Sequence, residues 1–261
     1  MLCKKSTMSK LPKAHKFIDL SDYGRPIARI IANSLKKTTF TAIHVTTWFI
    51  ISGLIAIAFM LYGYYWAAAF FLILKSILDA ADGELARLKN TPSYTGRYYD
   101  SIADILLNLL IFITLSYITN SNLIAALIAF IGVQLQGTLY NYYYVILRNK
   151  FNGDTTSRVF EDKTPIALKG EKQTTVNFLF RLYKILYGGF DKIIYILDKK
   201  AAASNTFPNW FMTAVSTFGL GFQLLIISVL LILGWKEFII PFFIYYSLMI
   251  LVFIAIRKLL N

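Results

Sequence analysis

Four aspartates, Asp79, Asp82, Asp100 and Asp104, stand at spacings of three, eighteen and four in a region flanked by runs of Leu, Ile and Phe. Carboxylates in such surroundings are costly unless they are paired, hydrated or bound to a cation. At about 100° per residue, Asp79, Asp82 and Ala86 fall on one helical face with Gly83 beside them, and Asp100 and Asp104 lie one turn apart on another. If residues 88–96 join the two helices as antiparallel neighbours, four carboxylates meet. That is a cage for one or two hard divalent cations, Mg²⁺ or Mn²⁺.

The residues between them suit an anionic ligand on such metals. Gly83 and Ala86 remove bulk at the carboxylate face, and Gly96, one turn before Asp100, spares the same space on the facing helix. Arg87 offers a fork of donors for phosphate oxygens. Metal over a diphosphate, with one carboxylate taking a proton from an attacking hydroxyl, makes phosphoryl transfer the natural reaction class. The plainer account pairs each aspartate with a rim cation, Lys75, Arg87, Lys89 or Arg97, but it leaves the small residues on the same faces unexplained.

The elements that must position these groups are membrane helices. Of 261 residues 57% are hydrophobic, and mean hydropathy is +0.56, outside the usual range of soluble domains. The apolar residues come in blocks of about 20, enough to cross a hydrocarbon core as a helix. The pattern predicts six spans, at 42–62, 64–86, 97–118, 123–147, 208–233 and 237–256. An N-terminal basic tail, 1–40, precedes a membrane catalytic domain, 41–261. In the tail, "GRPIARIIANSLKK" puts Ile27, Ile30, Ile31 and Leu35 on one face of an amphipathic juxtamembrane helix. Between spans four and five, 149–207 reads as a cytoplasmic loop with an interfacial helix pair broken at Gly188-Gly189. Cations concentrate on the side holding both termini and the aspartates, which the positive-inside rule makes cytoplasmic. No cleavable signal peptide is expected.

Net charge +13, from 27 basic and 14 acidic residues, fits anionic headgroups at the membrane surface and an anionic substrate, not nucleic acid. One cysteine, Cys3, excludes an internal disulfide and a cysteine zinc cluster; with only His15 and His44 besides, the metal expected is an oxygen-loving one.

The aspartate stretch resembles the signature of the CDP-alcohol phosphotransferase family, D-x2-D-G-x2-A-R-x8-G-x3-D-x3-D. Every fixed position is met: Asp79, Asp82, Gly83, Ala86, Arg87, Gly96, Asp100 and Asp104. The resemblance implies a six-helix membrane enzyme, usually a homodimer, that moves a phospho-substituted group from a CDP-linked donor to an alcohol and releases CMP. It implies that the four aspartates are metal ligands, that Asp100 and Asp104 serve catalysis, and that Asp104 is the general base. Gly83 and Arg87 would contact the donor, Ser93 would add a further donor contact, and two metal ions are expected. Family members often show Pro-Asn-x-x-Thr at the start of the first span. Here "TAIHVT" keeps Thr46 but has Ala42 and Ile43 instead of proline and asparagine, which leaves the contacts of Ala42, Ile43, His44 and Val45 to backbone atoms.

Outside the motif, Lys75 lies one turn deeper than Asp79 and is placed to neutralise the cluster or to snorkel. Gln134, Asn141 and Tyr144 would line a polar acceptor pocket, or form an aromatic belt. Arg148 and Arg158 are the cations for a phosphorylated acceptor. The compact length resembles the branch that transfers a phosphatidyl group from CDP-diacylglycerol to a polar alcohol. The alternatives are phosphobase transfer from CDP-choline or CDP-ethanolamine to a lipid alcohol and, in another class, a divalent-cation transporter. Transport would call for acids near mid-membrane in several spans.

Overall fold

A computed structural model describes residues 11, 16–151, 163–203 and 207–260. Among the described residues every regular element is a helix. Following a 3-10 turn, Leu20–Asp22, come α1 (Arg25–Leu35), α2 (Ala42–Leu61), α3 (Tyr65–Lys89), α4 (Tyr94–Ile118), α5 (Leu123–Lys150), α6 (Gln173–Leu197), α7 (Asn209–Val215), α8 (Leu220–Ile232), α9 (Ile239–Tyr246) and α10 (Met249–Leu259). Among them four stretches are long and apolar enough to cross a membrane: α2, α4, α5 and Lys236–Leu259. The bent pair Asn209–Phe218 and Leu220–Ile232 makes five if counted as one span. Helix α3 has the length, 25 residues, but carries Lys75, Asp79, Asp82, Glu84, Arg87 and Lys89. The charges that make it interesting are the ones a span usually lacks.

Helix α3 is the central element, packed against α1, α2 and α8, while α4 lies against α2, α5 and α6. Its end shows why the two aspartate pairs face each other. Asn90 takes the left-handed conformation (φ 53°), and the Asn90 and Thr91 amides close onto the carbonyls of Arg87 and Ala86. Pro92 cannot extend a helix from this turn, and Ser93 then caps α4 by accepting from the Gly96 amide at 2.8 Å. Four residues thus reverse the chain.

Two expectations change. The fifth predicted span, 208–233, bends by 56° at Gly219. The N-terminal segment is seated against the bend: the Leu20 amide donates to Ser216 Oγ at 2.9 Å, and a Cβ on Gly221 would sit 2.0 Å from the Ser21 carbonyl oxygen. The sixth, 237–256, falls within Lys236–Leu259, one stretch long and apolar enough to cross, with a turn at Ser247 and Leu248 between α9 and α10. The helix pair predicted around Gly188-Gly189 is one continuous helix, α6. Two glycines cost about 1 kcal/mol each in a helix interior; burial of Val176, Phe180 and Ile194 offsets them.

The amphipathic helix α1 does form, but its apolar face is divided. Ala28 and Ala32 are buried, Ile31 and Leu35 pack at the edge of the core shared with α2 and α3, and Ile27 and Ile30 are exposed. Small residues let α1 approach α3 closely, and the exposed isoleucines are left for an apolar medium.

Candidate metal centre

In the C-terminal half of α3 and the N-terminal half of α4, carboxylate oxygens of Asp79, Asp82 and Asp100 lie within 4.8 Å of one another. Three of the four predicted ligands therefore converge. Asp82 is buried and accepts from Thr46 Oγ1 of α2 at 2.6 Å, which gives the retained threonine of "TAIHVT" a role in aiming a carboxylate. Oδ1 of Asp100 is buried and has no hydrogen-bond partner in the structure. A buried carboxylate oxygen without a donor is expensive. An all-oxygen donor set with one such oxygen fits a hard divalent cation.

Asp104 is placed differently. Its Oδ1 accepts from Nζ of Lys75, which is fully buried and lies 4.9 Å from the centre of the Phe49 ring. Lys75 thus neutralises the cluster through Asp104; it does not snorkel.

Around this core the predicted small residues divide. A Cβ on Gly83 would meet only the Arg87 guanidinium nitrogens, the nearer at 3.6 Å, so the space over Gly83 is not filled by packing. A Cβ on Gly96 would lie 3.3 Å from Ser93 Oγ and 3.6 Å from Ile43 of α2, so this glycine serves the approach of α2 to α4. Ala86 is half-buried next to Arg87. The Arg87 Nη2 donates to Glu84 Oε2 at 2.9 Å, and Arg25 Nη1 reaches the same oxygen at 3.0 Å. Burial opposes the Arg25 charge, but Asp22 and Glu84 outweigh it and hold the guanidinium charged. Through Glu84 the motif arginine is tied to α1.

The other predicted contacts have local duties. His44 caps α2: its Nδ1 accepts from the Thr41 amide at 3.1 Å. Val45 is fully buried in the core shared with Ala28, Ala81 and Leu85, while Ala42 and Ile43 lie toward the surface. Besides capping α4, Ser93 donates to Glu171 Oε1 at 2.7 Å. Arg148 is buried on α5 with its guanidinium 5.7 Å from the Tyr144 ring, and is not at an open mouth. Gln134 is buried and Asn141 exposed. Arg158 lies outside the described residues.

Two residues near the centre had no strong sequence signal. Glu171, just before α6, caps α4 from outside: its carboxylate accepts from Ser93 Oγ and from the Thr95 and Leu168 amides. Burial works against its charge, but these donors prevail and hold the carboxyl below the usual range. Tyr187 of α6 donates to the Ser101 carbonyl, between Asp100 and Asp104, at 2.8 Å. Burial first, then the charges of Asp104 and Asp100, push its phenol well above the usual range. Nothing in the local sequence separates these two from other polar residues of an amphipathic segment.

Helices long and apolar enough to cross a membrane, with a carboxylate cluster between α3 and α4, mark a multi-pass integral membrane protein. The family model for CDP-alcohol phosphatidyltransferase matches residues 31–198, and the chain belongs to that family. It is thereby a CDP-alcohol phosphotransferase of phospholipid synthesis. A search of curated proteins found no match.

Proposed function

We propose that this enzyme transfers a phosphatidyl group from CDP-diacylglycerol to a polar alcohol at the cytoplasmic side of a membrane and releases CMP. The observation that carries the proposal is the convergence of Asp79, Asp82 and Asp100, with a donorless buried oxygen on Asp100, inside the segment that matches the family. In this reading α3 is the sixth span, both termini are cytoplasmic, residues 1–40 form the basic tail, α1 and α6 lie at the interface, and the enzyme works as a homodimer.

Asp79, Asp82 and Asp100 would hold Mg²⁺ or Mn²⁺. Such an ion supplies charge stabilisation for the oxygens of a diphosphate. The chain's own groups do the rest. Asp104 takes the proton of the acceptor hydroxyl as its oxygen bonds to the donor phosphorus adjoining the lipid, and the bond from that phosphorus to the CMP oxygen breaks. Lys75 keeps the Asp104 carboxylate in place. The open space over Gly83 admits the donor, and Arg87 turns from Glu84 toward its diphosphate. Fixed position and preorganised charge carry most of the rate.

The test is CMP release by purified protein with Mn²⁺, offered CDP-diacylglycerol or CDP-choline over a panel of acceptors. CMP from CDP-diacylglycerol and a water-soluble alcohol is expected. Release only from CDP-choline and a lipid alcohol would move the enzyme to the phosphobase branch, and no CMP from any pair would sink the transferase reading.

A further inference from the structure

Helix α6 presents three different faces. Val176, Phe180 and Ile194 are buried against the bundle, and Tyr187 on the same side donates to the Ser101 carbonyl of α4 at 2.8 Å. Turned away from the bundle are Phe178, Ile185 and Ile196, with 61%, 76% and 65% of their surface exposed. At about 100° per residue these three lie within about 20° of one line along the helix, roughly opposite Phe180 and Tyr187. Exposed Ile193 widens this apolar band on one side, and exposed Arg181, Lys184 and Lys192 line its other side. Gly189 lies in the band, and a Cβ there would meet nothing within 4 Å, so the chain itself does not cover it. Around the helix the order is bundle, apolar band, cations. That is the pattern of a helix lying in a membrane interface.

The cations decide what covers the band. No exposed residue of α6 is acidic. A second copy on this face would meet it by two-fold pairing, which sets a surface against itself and would bring Arg181, Lys184 and Lys192 up to their own kind. A layer of anionic headgroups supplies the opposite sign, and the acyl chains beneath it take the isoleucines.

We propose that the outer face of α6 is a docking surface for a leaflet of anionic phospholipid, with Ile185, Ile193 and Ile196 among the acyl chains and Arg181, Lys184 and Lys192 among the headgroup phosphates. Helix α6 is then the part of the chain that responds to the charge of the membrane surface. The proposal rests on the interfacial placement of α6 given above and not on the reaction assigned to the site, and its test does not use activity.

The full chain, with Cys3→Ser and a single introduced cysteine, Ile185→Cys or Ile196→Cys, is nitroxide-labelled and placed in nanodiscs of phosphatidylcholine alone or mixed with phosphatidylglycerol. Electron paramagnetic resonance then compares collisions with oxygen, which concentrates among acyl chains, and with a water-soluble nickel chelate. Both labels should favour oxygen in the anionic discs and lose most of that preference in the neutral ones. Adding Arg181→Gln, Lys184→Gln and Lys192→Gln should erase the difference between the discs, since each cation near an anionic surface is worth about fivefold in the docked population. The proposal falls if the labels meet nickel in both lipids, which leaves the face in water. It falls equally if they favour oxygen to the same degree in both, which makes the contact apolar with no preference for charge, or if spin–spin broadening puts a second copy on the face. Should the triple variant not fold, the contrast between the two discs decides alone. Docking in anionic discs by a chain that releases no CMP would sink the transferase reading and leave this surface standing.

Discussion

Among the described residues, the buried pairs Arg257–Asp198 and Lys75–Asp104 are built to opposite specifications. Asp198, at the end of α6, has no exposed side-chain surface; it accepts from Arg257 of α10 through both oxygens and from the Tyr143 hydroxyl of α5 at 2.7 Å. Its backbone carbonyl takes a further hydrogen bond from Tyr142. Three helices are joined there with every acceptor supplied. Lys75 and Asp104 form the other pair, but beside them Asp79, Asp82 and Asp100 add negative charge, and one Asp100 oxygen has no donor. A satisfied network ties the fold together, while an unsatisfied one waits for something the chain does not contain.

The sharpest way to break this comparison is to neutralise one carboxylate in each pair. Asp104→Asn should lower CMP release about 10²- to 10⁴-fold, the usual contribution of a positioned proton acceptor. Its effect on thermal unfolding should be smaller than that of Asp198→Asn, because Asp79 and Asp100 still act on Lys75. Activity persisting in Asp104→Asn would remove the proposed base.

Asp198→Asn should do the reverse. It removes the carboxylate charge that faces buried Arg257 and should destabilise the fold by about 3–5 kcal/mol. CMP release per folded molecule should not change. If activity fell while the unfolding midpoint held, the division between a structural and a chemical pair would be wrong.

A smaller effect is expected where the N-terminal segment meets the bend in front of α8. Gly221→Ala would press a methyl group onto the Ser21 carbonyl and must push the Leu20–Asp22 turn away. Overpacking of this kind costs about 1–3 kcal/mol. Tyr140, whose hydroxyl donates to Asp19 at 2.6 Å, would lose that partner as well. Protease sensitivity at the N-terminal segment should rise in the variant. An unchanged cleavage pattern would mean that the segment does not depend on this contact.

Much of the centre was legible because its information is local. Asp79 with Asp82, and Asp100 with Asp104, share faces by helical spacing alone, and the short connection at 88–96 is enough to turn one helix back on the other. What could not be read is whatever depends on partners far along the chain. The reach of Lys75 across to Asp104 spans 29 positions, and Thr46 meets Asp82 over 36. Helical wheels place a side chain on a face without saying which neighbouring helix will present a partner. The continuity of α6 escaped for a related reason. Local propensity argues for a break at Gly188-Gly189, and burial of residues on either side of the pair decides otherwise. The bend at Gly219 likewise packs against a segment about 200 positions away.

Glu171 offers the finest test of how the well-satisfied and the incomplete regions are connected. Its carboxylate takes two donors at the start of α4, the helix that carries Asp100 and Asp104, and a third from the Leu168 amide. A negative charge there also complements the helix dipole, worth about 0.3–1 kcal/mol. Since its folded-state pKa lies below the ordinary 4.5, the contribution is present above that value and is lost as pH falls through the lower, folded one. Glu171→Gln should therefore lower stability at neutral pH by about 0.3–1 kcal/mol. The gap between wild type and variant should close as the unfolding measurement is taken to pH values below 4.5. A gap that stayed constant down to acid pH would show that the side chain acts through its shape and hydrogen bonds and not through its charge. Because Ser93 keeps its bond to the Gly96 amide in the variant, α4 stays capped. Mn²⁺ affinity should then hardly move, and a marked loss of it would mean that the site depends on the loop before α6 for its geometry.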